Sequence, residues 1–209
     1  MGRDCDHKGG FRGDGVRDPA FDLIFDSQRI FRSLLDAMAN PGRIVTLPEI
    51  DIEPPGANRY PLLLLMTLLD HEVSFCVLGG AQTQVTEYLK TNTGGKESRL
   101  ENSDFILVYG GSSHGLIQRA RVGTLEYPDE SATVIYDAGS IGDDRGDILL
   151  ELSGPGIADK RMIGASGIEE NEIEDVLAMR DYPLGLDLIF SDRAGRMVCI
   201  PRSTTVEVM

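Results

Sequence analysis

Apolar positions with helical spacing predict two well-defined helices near the start of the chain. The first helix has a single apolar stripe, formed by Ile30, Phe31, Leu34, Leu35 and Met38. We expect Asp26 or Ser27 to cap its N-terminus, and the Asn, Pro and Gly at 40–42 to end it. The second helix follows a capping Asn58 and is apolar on every side from 62 to 69, so it should be buried on more than one side.

Short apolar runs predict strands at 44–47, 73–78, 105–109, 132–136 and 147–152. Near the end of the chain, apolar residues fall at every second position between 186 and 190, and 197–200 is another apolar run. Because Asp192 and Gly195 lie between them as turn residues, the two runs predict a β-hairpin. Pro201 has no N–H to donate, so the second strand should end there.

The remaining helical patterns are weaker. We predict helices at 83–91 and 112–120, and a last helix with a capping box formed by Ser166 and Glu169. The stretch 139–146 is predicted to be a polar loop.

This alternation of strands and helices, followed by a hairpin, predicts an α/β fold in which helices flank a mixed β-sheet. Residues 1–18 are rich in Gly, Asp and Arg and lack the apolar surface needed to fold, so we expect a flexible tail there. Residues 19–209 contain no internal repeat and no convincing linker. We therefore expect one domain, which is large enough to bury a sizeable core.

The net charge of the chain limits the ligands and partners that it can bind. The 209 residues carry a formal net charge of −14, so a nucleic acid or an anionic membrane would be repelled, and an anionic ligand would need a local basic pocket. The longest apolar run, 61–69, is about half the length that a transmembrane helix requires. The three cysteines lie far apart without metal-binding spacing, which predicts no metal site. With no signal peptide, we expect a cytoplasmic protein.

A glycine-rich sequence at 111–115 matches G-x-S-x-G, the motif that presents the nucleophile of many hydrolases after a strand. Such a nucleophile needs a His downstream as its base, and the only His after Ser113 is the adjacent His114, which cannot reach back. A structural loop with a helix-capping serine is therefore favoured. A stand-alone small-molecule hydrolase or transferase that uses the Ser113 loop or the Arg202 region remains the alternative function.

Arg202 is a candidate for binding a ligand or a partner. It follows the predicted hairpin, and Ser203 and Thr204 lie directly after it. Its guanidinium fork can bind a carboxylate or a phosphate through two hydrogen bonds. A structural ion pair with Asp187, which lies among apolar residues of the hairpin, is an equally good interpretation.

A Gly-Pro-Gly turn after a predicted strand contributes two more candidates, Gly154 and Gly156. Asp159 occupies the third glycine position of a phosphate-binding loop and would repel a phosphate, so a structural turn is favoured. The nearby Lys160 and Arg161 keep anion binding open. Lys160 is also the sole candidate for a Schiff base with pyridoxal phosphate, and because it is a poor one we expect no cofactor.

Three stretches of the chain, in the same order, closely resemble the PhnH family, the H subunit of the bacterial carbon–phosphorus lyase system. They are FRSLLDAMANPG at 31–42, LSGPGIA at 152–158 with RMI at 161–163, and PLGLDLI at 183–189 with IPRSTTVEV at 200–208. The resemblance covers roughly residues 21–208 and leaves only the tail outside.

The resemblance implies an α/β fold related to the large domain of pyridoxal-dependent transferases, without pyridoxal phosphate. It implies a homodimer, which the all-apolar helix 62–69 would also fit, and a core complex with the G, I and J subunits. With the G, I and L subunits, the family is needed to transfer the ribose 5-triphosphate of ATP to a phosphonate such as methylphosphonate, with release of adenine. That chemistry is attributed to the I subunit, so we expect an accessory or structural subunit and assign no catalytic residue.

Overall fold

The residues that the computed structural model describes are 18–54, 56–80 and 82–209. The predicted tail therefore lies outside the described residues, with the exception of Asp18. The Asp18 carboxylate accepts hydrogen bonds from the Tyr88 hydroxyl and from the Glu53 N–H. The folded body thus already includes Asp18.

The described residues form eleven strands and four α-helices. The strands are β1 Val45–Thr46, β2 Ser74–Leu78, β3 Lys96–Glu97, β4 Phe105–Val108, β5 Thr133–Asp137, β6 Ser140–Gly142, β7 Ile148–Ser153, β8 Arg161–Ser166, β9 Asp187–Ser191, β10 Arg196–Ile200 and β11 Thr205–Val208. The helices are α1 Phe25–Ala39, α2 Arg59–Leu68, α3 Gln82–Thr93 and α4 Glu170–Ala178.

These strands form two sheets. The larger sheet has seven strands in the order β1-β10-β9-β5-β4-β2-β3. Its strands from β9 to β3 are parallel, whereas β10 and β1 are antiparallel to their neighbours. The smaller sheet is antiparallel, in the order β11-β7-β8-β6. The predicted α/β class with a mixed sheet is confirmed.

Helices α1, α2 and α3 cover one face of the larger sheet. Helix α2 lies between the other two and also contacts β5, and its residues 62–65 are completely buried. The prediction that this helix is buried on several sides is confirmed, and a single chain provides all of the cover. The burial of α2 therefore gives no argument for a second copy of the chain.

The apolar stripe of α1 is only partly buried. Ile30 and Leu34 lie in the core, whereas Phe31 and Leu35 are 44% and 52% exposed. Amphipathic spacing predicted one continuous buried stripe, but the sheet and α2 reach only one side of it.

The start of α1 also differs from the prediction. Asp26 and Ser27 lie inside the helix and do not cap it. The carboxylate of Asp22 instead accepts hydrogen bonds from the N–H groups of Ile24 and Phe25. The end of the helix, at Ala39 before the Asn, Pro and Gly of 40–42, is as predicted.

The smaller sheet and α4 cover the opposite face of the larger sheet. Strand β6 contacts β9 and β10, and the core on this side combines Leu150 and Ile163 of the smaller sheet with Val134 and Phe190 of the larger sheet. Ile173 of α4 belongs to the same core. A second layer of strands thus takes the place that a helical layer would occupy in a fold with helices on both faces.

The five predicted strands and the hairpin of β9 and β10 are confirmed, and β10 ends directly before Pro201. The helix predicted at 83–91 corresponds to α3. Three strands of the smaller sheet were not predicted, namely β6, β8 and β11, and β6 occupies part of the stretch predicted as a polar loop.

Two helix predictions need correction. Of the stretch 112–120, only 116–119 is helical, and it forms a short 3-10 turn. Ser166 does not cap α4, because it is the last residue of β8 and its hydroxyl accepts a hydrogen bond from the Asp147 N–H. Helix α4 itself is present as predicted, starting at Glu170.

Candidate functional site

The structure places Arg202 beside Asp187, at the point where β10 ends. One Asp187 oxygen accepts the Arg202 N–H at 2.8 Å, and the other lies 3.5 Å from the Arg202 guanidinium. The guanidinium also donates to the carbonyl of Pro128 and to the hydroxyl of Ser131. Both ionic side chains are largely buried. These contacts fit the structural ion pair that the sequence left as one of two interpretations of Arg202.

The hydroxyl-bearing residues after Arg202 lead directly into β11. Ser203 is partly buried, while Thr204 is buried and its hydroxyl has no hydrogen-bond partner among the described residues. Gly154 lies beside them, because a Cβ on this glycine would be 3.3 Å from the Ser203 carbonyl oxygen. Four of the candidate residues, Asp187 included, therefore meet around Arg202, where the chain crosses from one sheet to the other.

A half-buried arginine that the sequence analysis did not select holds this crossing together. Arg180 donates to the carbonyl of Thr204 at 2.9 Å and lies 3.4 to 3.5 Å from the carbonyls of Ile200 and Leu186. Burial lowers the pKa of Arg180 to about 10, against the opposing charge of Asp187. Arg180 thus ties the end of α4 to β10 and β11.

The other two candidates, Gly156 and Arg161, lie at the end of α1. Gly156 has φ of 83°, and a Cβ there would be 2.5 Å from the carbonyl oxygen of Ala39, so only glycine fits. The Arg161 guanidinium donates to the carbonyls of Asn40 and Pro41, at 3.4 and 2.9 Å. The Gly-Pro-Gly turn therefore packs against the end of α1.

The Ser113 loop has the geometry of a structural turn. Ser113 is 2% exposed, and its hydroxyl donates to Glu172 and accepts the Ile117 N–H, both at 2.9 Å. Glu172, itself buried, also accepts the Ser113 N–H and the Tyr136 hydroxyl. The hydroxyl of Ser113 is thus fully used and shielded from any substrate, which argues against the hydrolase alternative.

A second group of polar side chains lies at the carboxyl ends of the parallel strands, where open α/β sheets usually bind ligands. Asp137 ends β5 and accepts a hydrogen bond from the Asn58 side chain at 2.7 Å. Burial raises the pKa of Asp137, and the Asn58 hydrogen bond and the Arg193 charge oppose this rise. A cleft of about 350 Å³ opens beside them, lined by Asn58, Tyr60 and Arg193 among others.

A larger cleft, with a volume of about 860 Å³, lies where β6 and β8 meet β1, β10 and the end of α1. We call it the basic cleft, because its walls contain Arg43, Lys160, Arg161 and Arg196. Two acidic residues of the loop after β6 also line it, Asp143 and Asp144.

Sequence reasoning missed several of these groups. Asp137 had a signal, because it directly follows an apolar run that ends a parallel strand. Glu172 also had one, since it lies one helical turn before the buried Val176 on the core side of α4. Neither Arg43 nor Arg196 had a signal in the sequence, because the two residues lie in distant parts of the chain that only the fold brings together.

Metal and membrane sites find no support in the described residues. No group of three or more His, Cys, Asp or Glu side chains within them is placed to hold a metal ion. Each helix in this part of the chain is too short or too polar to span a bilayer.

Comparison with known proteins identifies clear relatives. The model of the family described as bacterial phosphonate metabolism protein (PhnH) matches residues 19–207. A Rhizobium meliloti (strain 1021) protein named "Alpha-D-ribose 1-methylphosphonate 5-triphosphate synthase subunit PhnH" is 27% identical over 189 residues, which cover 89% of this chain and 92% of the relative. A Stutzerimonas stutzeri protein named "Putative C-P lyase subunit protein HtxG" is 30% identical over 182 residues, which cover 87% and 86%.

Proposed function

Because the chain belongs to the PhnH family of bacterial phosphonate metabolism proteins, we propose that it is an accessory or structural subunit of a carbon–phosphorus lyase core complex. The observation that carries this proposal is the family match over 19–207, nearly the whole described chain. The names of the two relatives, one a synthase subunit and one a C-P lyase subunit protein, support it.

The proposed activity belongs to the complex and not to this chain alone. With partner subunits, the chain is required to transfer the ribose 5-triphosphate of ATP to a phosphonate such as methylphosphonate, with release of adenine. The proposed partners are the G, I and J subunits of the core complex, the L subunit, and a second copy of this chain, in the cytoplasm.

The geometry of the candidate residues supports an accessory role. Ser113 is buried and bonded to Glu172, and the guanidinium of Arg202 contacts Asp187 and groups of the 128–131 turn. The described lysines at 90, 96 and 160 are exposed, whereas a Schiff-base lysine needs a desolvated site. The relation to the large domain of pyridoxal-dependent transferases, without the cofactor, remains part of the proposal.

An exposed apolar surface on α1 supports contact with another subunit of the complex. Ile24, directly before α1, and Phe31 and Leu35 within it are 73%, 44% and 52% exposed, and their spacing places them on one side of the helix. We call these three residues the α1 face. Contiguous exposed apolar residues are typical of surfaces that bind other proteins.

The test replaces two residues of the α1 face together, as Phe31→Ser and Leu35→Ser. The variant should keep the melting temperature of the wild type within a few degrees, because both side chains are about half exposed. We expect it to lose co-purification with the other subunits from phosphate-starved cells. It should also fail to restore growth of a deletion strain on methylphosphonate as sole phosphorus source.

The matched control is Leu125→Ser, which removes an exposed leucine away from α1. This control should co-purify and support growth like the wild type. A wild-type chain that neither co-purifies with the other subunits nor restores growth would contradict the proposed function itself. Light scattering tests the homodimer separately, and a single-chain mass at micromolar concentration would count against it.

A further inference from the structure

We propose that the basic cleft binds a chain of phosphate groups, such as the triphosphate of a nucleotide or of a ribose triphosphate. This inference deepens the proposed function, and the choice of a triphosphate rests on that function. The preference for a phosphate-type polyanion rests on the cleft alone. Of its four cations, only Lys160 and Arg161 had been connected with anion binding from the sequence.

The first argument is the convergence of positive charge. Arg43 lies between α1 and β1, Lys160 and Arg161 lie at the start of β8, and Arg196 begins β10. Four cationic side chains from three distant parts of the chain thus line one cleft, although the whole chain has a net charge of −14. Among the residues that line the cleft, these four cations outnumber the two carboxylates, and a local excess of cations is what an anionic ligand requires on an acidic protein.

The second argument is that the guanidinium groups of Arg196 and Arg161 are held in fixed orientations. The Nε of Arg196 donates to Asp192 at 2.7 Å, and Asp192 is completely buried. The N–H groups of Ile141 and Ala194 also bond to this carboxylate, so its position is fixed. The Nη atoms of Arg196 take no part in these bonds. They form the end of a planar fork suited to two phosphate oxygens.

Arg161 is fixed in a similar way from the other wall. Its Nη1 donates to carbonyls of Asn40 and Pro41 at the end of α1. A guanidinium has five N–H donors, so this anchoring leaves donors for a ligand. Two pre-oriented forks lose little side-chain entropy on binding an anion.

The remaining two cations have carboxylate partners that a ligand can replace. Arg43 pairs with Asp36, and Lys160 pairs with Glu151. Both cationic side chains are more than half exposed, so these pairs contribute little to stability. A phosphate with two negative charges competes well with such a carboxylate.

The size of the cleft favours an oligophosphate over a single phosphate. Its volume of about 860 Å³ lies near the upper end of typical small-molecule sites, roughly 300–1,000 Å³. One phosphate group is too small to contact four cations spread around such a space. Asp143 and Asp144 also line the cleft and disfavour an anion beside them, so the ligand would contact the four cations and avoid these two carboxylates.

The test measures binding of tripolyphosphate to the purified full-length chain by titration calorimetry. Replacing Arg43 and Lys160 together by Gln should weaken this binding about tenfold or more, and the fold should survive because both residues are exposed. Arg196→Lys keeps the charge but removes the fork, so it should weaken binding several-fold. The matched control is Arg119→Gln, which breaks a comparable exposed pair with Glu101 outside the cleft.

Three outcomes would overturn the inference. They are no measurable binding to the wild type, equal affinity in the double variant, and the same loss in the Arg119→Gln control. A double variant that keeps its tripolyphosphate affinity but no longer co-purifies with other subunits would identify the cleft as a protein contact instead. Because the titration needs no partner subunit, its result does not depend on the growth test of the proposed function.

Discussion

The two faces of the seven-stranded sheet are covered by layers of different kinds. Three helices, α1 to α3, pack on one face, and their core is built from apolar side chains such as those of 62–65. The four-stranded sheet and α4 pack on the other face, where the core also encloses the carboxylate of Glu172. Both layers rest on apolar burial, and the layer on the second face also encloses a buried carboxyl group.

The two layers also differ in how the chain builds them. Each helix closes its own backbone hydrogen bonds, so its existence depends on nearby residues. The smaller sheet depends on pairs from distant parts of the chain, such as Thr205 with Ser153 and Ser140 with Ser166. The helices can therefore form from local interactions, whereas the smaller sheet also needs pairing between distant segments.

The largest expected loss of stability lies in the helical layer. Leu63→Ala removes a completely buried side chain from α2, and we expect it to lower the free energy of unfolding by about 2–5 kcal/mol because of lost burial and a new cavity. Denaturant unfolding monitored by circular dichroism measures this change. The control Leu35→Ala, on the exposed side of α1, should cost less than about 0.5 kcal/mol. Similar costs at both positions would mean that another surface covers α1 in solution.

The same contrast explains how much of the fold the sequence predicted. Helices α1 and α2 were predicted because their apolar residues repeat at helical spacing, and six strands of the larger sheet because their residues form apolar runs or alternate. Strand β3 was not predicted, because Lys96 and Glu97 are both charged. Strand β8 was missed because its second half, with Gly164 and Ala165, has low strand propensity. A Cβ on Gly164 would be 2.3 Å from the Arg145 carbonyl oxygen, so the close approach of another loop requires this glycine.

The candidate sites show the same difference between local and distant interactions. The ion pair of Arg202 with Asp187 was foreseen as an alternative, because both residues belong to one hairpin and its continuation. The four cations of the basic cleft were not foreseen as a group, because only the packing of the two sheets brings Arg43 and Arg196 near Arg161. An ion pair within one segment could be predicted from the sequence, whereas a site assembled from distant segments could not.

The next largest effect lies in the strand-covered face. Glu172→Ala would leave the Ser113 N–H and the Tyr136 hydroxyl without their buried acceptor, so we expect a loss of about 3 kcal/mol. Glu172→Gln keeps one acceptor oxygen and should lose less. Thermal unfolding of the three proteins measures the order. A Glu172→Ala protein as stable as the wild type would contradict the view that this carboxylate holds α4 to the Ser113 loop.

A smaller loss of stability is expected at Arg202, where the chain crosses from one sheet to the other. Arg202→Lys keeps the charge beside Asp187 but cannot reproduce the additional contacts with Pro128 and Ser131. Stability should fall by about 1–3 kcal/mol, and growth on a phosphonate should fall only in proportion. An unchanged melting temperature combined with lost growth would instead indicate that Arg202 contacts a ligand or a partner.

The smallest effect concerns Asp137, whose carboxyl group lies beside Asn58 at the start of α2, on the helix-covered face. Burial raises the pKa of Asp137 in the folded protein above its unfolded value of about 3.9. The folded state therefore keeps this proton to higher pH than the unfolded state, and the contribution of Asp137 to stability falls as the pH rises from about 4 through the folded pKa.

Asp137→Asn removes this titration and keeps an oxygen that can accept the hydrogen bond from Asn58. We therefore expect the variant to gain stability relative to the wild type as the pH rises through that window, and the difference to be constant above it. Denaturant unfolding of both proteins at a series of pH values measures the difference, in which the other carboxyl groups cancel. A difference that stays constant would show that the Asn58 hydrogen bond and the Arg193 charge balance burial at this carboxyl group, and one that falls with rising pH would show that they outweigh it.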